Sequence, residues 1–281
     1  MSQPAAAMRA FLGPGLFTGI DARIEVGPPG RRLTIRRGIT AAPIDISLVN
    51  PAPVLPGLPA GFPIRNTTLQ LAAGASVATV EHVVSAAAGL GQWGTTLHVD
   101  GPEVPIDDGS ALAFTTMLAG AGSGDVEPLV PREEVTVTEG AASIVILPRR
   151  ERGLRFTYRL DYGPKSPLKP QEATWEGDAA EYAAEVAPAR TFSLSQEVAF
   201  ARRAGLFQRF TPRQLLVIGD DGEPIENAWR LANEAARHKL LDLIGDLALL
   251  GRPLQADVIA TRSGHSLAHR ACREVLAGVS R

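Results

Sequence analysis

The stretch RHKLLDLIGDLALLG, residues 237–251, decides more of the architecture than any other segment of this 281-residue chain. On a helix turning roughly 100° per residue, Leu240, Leu241, Ile244, Leu247 and Ala248 form one apolar stripe, and His238, Asp242 and Asp246 form a narrow polar row apart from it. Leu243, Leu249 and Leu250 fall outside the stripe, so the helix is apolar around most of its circumference. A helix of that kind belongs between two layers, with its polar row facing an enclosed cavity. Carboxylates in such a place are costly unless they are paired or bound to a metal.

Outward from this helix, expected over about Asn233 to Leu250, the chain reads as strand QADVIATRSG (255–264) and a last helix HSLAHRACREVLAG (265–278). Before it stand the strand-like runs EVTVTEG, ASIVILP and LRFTYRLDY. The first half has the same order. Short strands ARIEVGPP, RLTIRRG and RNTTLQL surround a proline-rich stretch from Pro43 to Pro63. A helix then opens at Thr79 as N-cap, with Val80, Val83, Val84, Ala87 and Ala88 at helical spacing, and stops at the glycines after Ala88. TTLHVDG follows as a strand, and DDGSALAFTTMLAGAG as a turn opening a second helix. The Gly-, Pro- and charge-rich segment 122–134, GSGDVEPLVPREE, separates the halves. The pattern predicts an α+β protein of two similar sheet-plus-helix domains, residues 1–126 and 127–281, made from a duplicated unit with a site between them.

A formal net charge of -2 and a pI near 6.2 exclude a global pull toward nucleic acid or anionic lipid, so any anionic ligand must be held by local charges. The single cysteine, Cys272, excludes an internal disulfide framework and a thiolate-rich zinc site, and points to the cytoplasm. The N-terminal stretch, broken by Gly13, Pro14 and Gly15, makes a poor secretory signal, and no run long enough to span a bilayer is expected. For a cytoplasmic chain the sequon at Asn66-Thr67-Thr68 carries no meaning.

A histidine and an aspartate four residues apart on a helix can direct a ring nitrogen and a carboxylate oxygen to one point. His238 and Asp242 alone are weak ground, because the same spacing serves an ordinary i to i+4 hydrogen bond. A second helix changes the balance: TVEHVVSAAAGLG places Glu81 beside His82. Two histidines and one aspartate leave a fourth zinc position open, the arrangement of a catalytic site, with Glu81 available as a base.

Together the motifs TVEHVVSAAAGL, DGPEVPIDDGSALAF, ARTF, RHKLLDLIGDLALLG and SGHSLAHR, in this order from about Gly13 to the end of the chain, resemble those of the UDP-3-O-acyl-N-acetylglucosamine deacetylases, zinc amidases of lipid A biosynthesis. The resemblance implies two α/β-sandwich domains, each with a small insert, and a metal held between them by His82, His238 and Asp242. It implies Glu81 as general base and His265 as the cationic acid, oriented by Asp246. Thr191 would offer its hydroxyl to the oxyanion, and Lys239 would meet a substrate phosphate or carbonyl. Phe192, Arg209 and Phe210 would lie along the substrate pocket. Zinc is the implied metal, although ferrous iron shares these ligand types. The implied substrate is a UDP-linked acylated amino sugar, handled by a monomer that touches the membrane only through the acyl chain.

Departures from the family pattern cluster at the substrate. Phe17 in GLFTG stands where the family has a histidine, DYGPKSPLKPQ replaces a His-Pro-x-Ile-Gly-x-Gln segment, and LFQRFTPRQLLVIGDDG, with bulky Gln208, Arg209 and Phe210, replaces a Gly-Gly-Ser segment. A different acylated amino sugar is therefore the alternative substrate, and a non-catalytic protein retaining the fold is the alternative class. GLGQWG matches G-x-G-x-x-G literally but follows a helix and precedes a strand, the reverse of dinucleotide-binding order. His98 and His269 receive no role.

Overall fold

The computed structural model describes residues 9–59, 62, 65–124 and 126–279. Residues 1–8, with the start of the leader reading, part of the proline-rich stretch, and Asp125 of the segment between the halves lie outside the described residues.

The first unit begins with β1 (Ala10–Pro14), β2 (Asp21–Val26), β3 (Thr34–Arg37) and β4 (Thr40–Pro43), then a small hairpin of β5 (Leu69–Gln70) and β6 (Ser76–Val77). Helix α1 (Glu81–Gly89), strand β7 (Thr96–Asp100) and helix α2 (Leu112–Leu118) complete it. The second unit has β8 (Val135–Glu139), β9 (Ala142–Pro148), β10 (Arg155–Leu160) and β11 (Gln171–Trp175). A short turn α3 (Ala179–Glu181) runs into a π-helical segment, Tyr182–Val186. An insert follows, formed by β12 (Phe192–Leu194), α4 (Ser195–Arg203) and β13 (Leu216–Ile218). Then come α5 (Glu234–Leu247), β14 (Ala256–Thr261) and α6 (His265–Val279).

The sheet orders are β1-β2-β7-β3-β4 and, taken from its other edge, β8-β9-β14-β10-β11. In each, the fifth strand enters the middle, antiparallel to the second strand and parallel to the third. The outer pairs are antiparallel in both. Every strand of one sheet thus has a counterpart in the other, and α1 and α5 occupy the same place in the two units, each leading into the central strand. This is the duplicated unit that the sequence order predicts.

One continuous core runs through both units and includes Ile24, Val83, Val84 and Leu97 from the first and Ile144, Leu241, Ile244 and Val258 from the second. All residues of α5 except Arg237 and Lys239 are buried, which is why its sequence is apolar on nearly every side. Helices α1 and α5 meet face to face. A Cβ at Gly245 would fall inside the contact radius of the Glu81 carbonyl oxygen, so only glycine allows the two backbones this close. Gly245→Ala should therefore cost about 1–3 kcal/mol and lower metal uptake by spreading the helices; thermal unfolding and elemental analysis of the purified variant measure both.

Thr79 does not cap α1. Its backbone is left-handed (φ 56°), and its hydroxyl accepts from Asn66 Nδ2 at 2.9 Å and donates to Glu103 Oε1 at 2.7 Å. With the hydroxyl committed to those partners, the cap position falls to Val80. Asn66 is buried and its amide oxygen also accepts from Thr68, so the sequon is held inside the fold. GLGQWG lies between α1 and β7, in the helix-then-strand order that opposes dinucleotide binding.

Candidate metal centre

The polar row of α5 faces the N-terminal end of α1. His82, His238 and Asp242 are 4%, 3% and 5% exposed. Their ligand atoms lie within 4.8 Å of one another, and Asp242 Oδ1 is 3.5 Å from Nε2 of each histidine. Tetrahedral ligands at zinc distances would stand roughly 3.4 Å apart, so the spacing fits. The chemistry of the donors fits as well. His238 Nδ1 lies 3.2 Å from the Ala189 carbonyl oxygen, which places the proton there and turns the Nε2 lone pair to the centre. Burial pushes the His238 imidazole down to about 4, keeping it neutral as a ligand must be. Asp242 Oδ2 accepts from Lys239 Nζ at 2.6 Å, whereas Oδ1, although buried, has no hydrogen-bond partner among the described residues. A buried carboxylate oxygen without a donor, aimed at two imidazole nitrogens, is a place for a cation.

Burial alone would raise the Asp242 carboxyl, but Lys239 and His238 hold it well below the ordinary carboxylate range. The reverse holds at Lys239, where burial is outweighed by Asp242 and the ammonium stays charged. Lys239 thus contacts the carboxylate of a candidate ligand, a partner that the sequence does not suggest.

Glu81, in the first turn of α1, is 3% exposed, and desolvation raises its carboxyl despite the nearby His265 and His82. Its Oε2 accepts from the Thr67 backbone N–H at 3.0 Å. His265 opens α6, and its Nδ1 lies 2.8 Å from Asp246 Oδ2. Burial would lower that imidazole, but Asp246 outweighs it and lifts it to about 9. The folded value lies above the ordinary one, so the pair's contribution to stability is complete below about 6.5 and is lost as pH rises through about 9. NMR titration of the metal-free protein should find one imidazole titrating near 9 that vanishes in His265→Gln.

Thr191 follows Arg190 at the entry to the insert. Its N–H donates to the Gly109 carbonyl oxygen at 2.7 Å, and Gly109, at φ 82°, lies so close to the threonine methyl that no side chain fits there. Phe192 sits edge-on to the His238 ring, with centroids 6.3 Å apart. Arg209 and Phe210 have their contacts elsewhere. Arg209 donates to the Gly19 carbonyl oxygen and to Asp21, each at 2.7 Å, and Phe210 packs with Ile106, Leu215 and Leu16. Phe17, where a histidine is expected, faces Phe207 of the insert at 5.9 Å. The turn that carries it is held by Glu103, whose buried carboxylate accepts from the N–H groups of Phe17 and Thr18.

Sequence reading passes over several residues that shape this centre. Thr67 joins Glu81 to Asp246, its hydroxyl 2.6 Å from Asp246 Oδ1, across 179 residues of chain. His269, given no role above, lies 2.9 Å from that same hydroxyl. Arg190 and Glu234 form a buried ion pair at 2.8 Å that ties the Thr191 segment to the start of α5. None of these carries a local signal, because each partnership joins distant elements.

Comparison with known proteins converges on one family. The profile of the UDP-3-O-acyl N-acetylglycosamine deacetylase family (LpxC) matches residues 6–277. A UDP-3-O-acyl-N-acetylglucosamine deacetylase from Geobacter sp. (strain M21) is 35% identical over 274 residues, covering 95% of this chain and 86% of the relative. The enzyme of the same name from Synechocystis sp. (strain ATCC 27184 / PCC 6803 / Kazusa) is 32% identical over 265 residues, covering 91% of each. That from Thermosynechococcus vestitus (strain NIES-2133 / IAM M-273 / BP-1) is 39% identical over 210 residues, covering 73% of this chain and 71% of its own.

Proposed function

The chain belongs to the UDP-3-O-acyl N-acetylglycosamine deacetylase family, and on that premise we propose how its residues divide the work of the reaction. The activity is removal of the N-acetyl group from UDP-3-O-acyl-N-acetylglucosamine in lipid A biosynthesis. The observation that carries the assignment of the site is the convergence of His82, His238 and Asp242, from two units, on one buried point.

These three residues would hold a zinc ion, which when bound polarises the amide carbonyl and makes water nucleophilic near neutral pH. Glu81 takes the proton from the attacking water. Its desolvated carboxyl is a stronger base than an exposed one, which suits that task. The hydroxyl of Thr191 donates to the oxyanion that develops on the acetyl group. His265, held cationic by Asp246, stabilises that charge and then protonates the departing amine. Lys239 holds Asp242 Oδ2, leaving Oδ1 for the ion. Phe192 would line the acyl passage, while Arg209 and Phe210 would shape it by fixing the insert against the first unit.

The proposed domain boundary remains between residues 126 and 127. The protein is proposed as a cytoplasmic monomer that meets the bilayer through its substrate's acyl chain; among the described residues no helix is long and apolar enough to cross a membrane.

Elemental analysis paired with acetate release from UDP-3-O-acyl-N-acetylglucosamine tests the reading. About one equivalent of zinc and steady acetate release are expected. Metal without acetate release would discard the substrate, and no bound metal would sink the ligand trio.

A further inference from the structure

Thr67 is 1% exposed, precedes β5, and uses its backbone N–H and its hydroxyl at the centre. Its backbone N–H donates to Glu81 Oε2 at 3.0 Å. Its hydroxyl lies 2.6 Å from Asp246 Oδ1 and 2.9 Å from His269 Nε2. A hydroxyl has one proton, and an ionised carboxylate can only accept. The Thr67 proton therefore goes to Asp246, and His269 must donate from Nε2 to the oxygen of Thr67. Asp246 accepts from His265 Nδ1 with its other oxygen, at 2.8 Å. His269 stands one helical turn after His265 on α6, is 8% exposed, and keeps its ring centroid 6.5 Å from that of His265.

We infer that Thr67, itself oriented by His269, is the positioning residue that sets the base Glu81 and, through Asp246, the acid His265 in register across the two units. The inference rests on the assignment of Glu81 and His265 given above. Glu81 belongs to α1 and His265 to α6, on different units, and the amide nitrogen and hydroxyl of a single residue fix where each stands relative to the other. Proton donors and acceptors displaced by about 1 Å can lose two orders of magnitude in rate, so this tie acts on turnover more than on binding.

Thr67→Val keeps the volume and the backbone N–H but removes the hydroxyl. Its kcat should fall about 10- to 100-fold, the usual loss for a group behind the reacting residues, with KM and bound metal close to wild type. Thr67→Ser should recover most of the loss, since it restores the hydroxyl. His269→Leu should lower kcat several-fold, and the double variant Thr67→Val/His269→Leu should lose less than the product of the two single losses, because His269 Nε2 reaches the Thr67 hydroxyl at 2.9 Å and Asp246 Oδ1 only at 3.5 Å. Wild-type kcat in Thr67→Val or in His269→Leu, or losses that multiply in the double variant, would overturn the inference. Glu81→Gln and His265→Ala are run alongside. If both are inactive while Thr67→Val is not, the inference alone fails; if either keeps full activity, the assignment of base and acid fails and the inference with it.

Discussion

Glu81→Gln should lower kcat for acetate release by about 10²- to 10⁴-fold, the contribution ordinary for a positioned general base, while the protein still binds its metal. Glutamine keeps the shape of glutamate and an oxygen that can accept the Thr67 N–H, so α1 and its crossing with α5 should be undisturbed. It cannot take a proton from water. The metal should stay because the three ligand atoms come from His82, His238 and Asp242. Neighbouring groups sharpen the test. Burial raises the Glu81 carboxyl and His265 and His82 oppose that rise, so the wild-type enzyme should lose activity on the acid side as Glu81 is protonated. That acid limb should be absent from the residual activity of the glutamine variant. Residual activity near wild type, or loss of metal along with activity, would remove Glu81 from the role of base.

Arg190→Met should destabilise the protein by about 3–5 kcal/mol, the range found when one partner of a buried ion pair is removed. Arg190 and Glu234 side chains are 7% and 0% exposed, and the guanidinium spends its donors on both Glu234 oxygens, on Asn227 and on the Ala228 carbonyl oxygen. Burial by itself would raise the Glu234 carboxyl, but hydrogen bonds from Arg190 and from the Arg230 N–H hold it below its ordinary range. The variant leaves that carboxylate charged and half its partners gone. Because the folded value is depressed, the pair's contribution is fully present above the ordinary carboxylate range and is lost as pH falls below that range toward the depressed folded value. Denaturant unfolding near pH 7 should therefore show a larger gap between wild type and Arg190→Met than unfolding near pH 4. Arg190→Met/Glu234→Gln should recover part of the lost stability. Acetate release should fall as well, since Thr191 follows Arg190 directly and loses its anchor to α5. An unchanged unfolding midpoint would show that the pair is held in place by its surroundings and not the reverse.

The sequence is most legible where a single element carries the pattern. The row His238, Asp242, Asp246 follows from helical spacing alone, and the burial of its helix follows from apolar residues on nearly every side. The duplication is legible as an order of elements, although the individual edge strands are not. AFLGP of β1 contains Gly13 and Pro14, and TAAP of β4 is small and short, so neither has the alternation that marks a strand. Both gain their form from pairing with β2 and β3. Thr79 has the chemistry of a helix cap but finds better partners in Asn66 and Glu103. Thr67 is the clearest case of what a linear reading cannot reach: its neighbours in sequence say nothing, while its partners are 14, 179 and 202 residues away. The insert teaches a narrower lesson. Bulk at Phe210 suggests obstruction when read as a string, but in three dimensions the ring packs with Ile106 and Leu215 and becomes part of a small core.

The equivalence of α1 and α5 also has a kinetic side. Each unit has its own sheet, although one core runs through both. The ligands cannot be gathered within one unit, since His82 arrives with one and His238 and Asp242 with the other. The three residues come together only where α1 and α5 meet, so ion capture is expected to follow the docking of the two halves. Followed in a refolding time course, the appearance of tightly held metal should lag behind the recovery of secondary structure, and a chain whose halves have folded but not yet met should be found empty-handed.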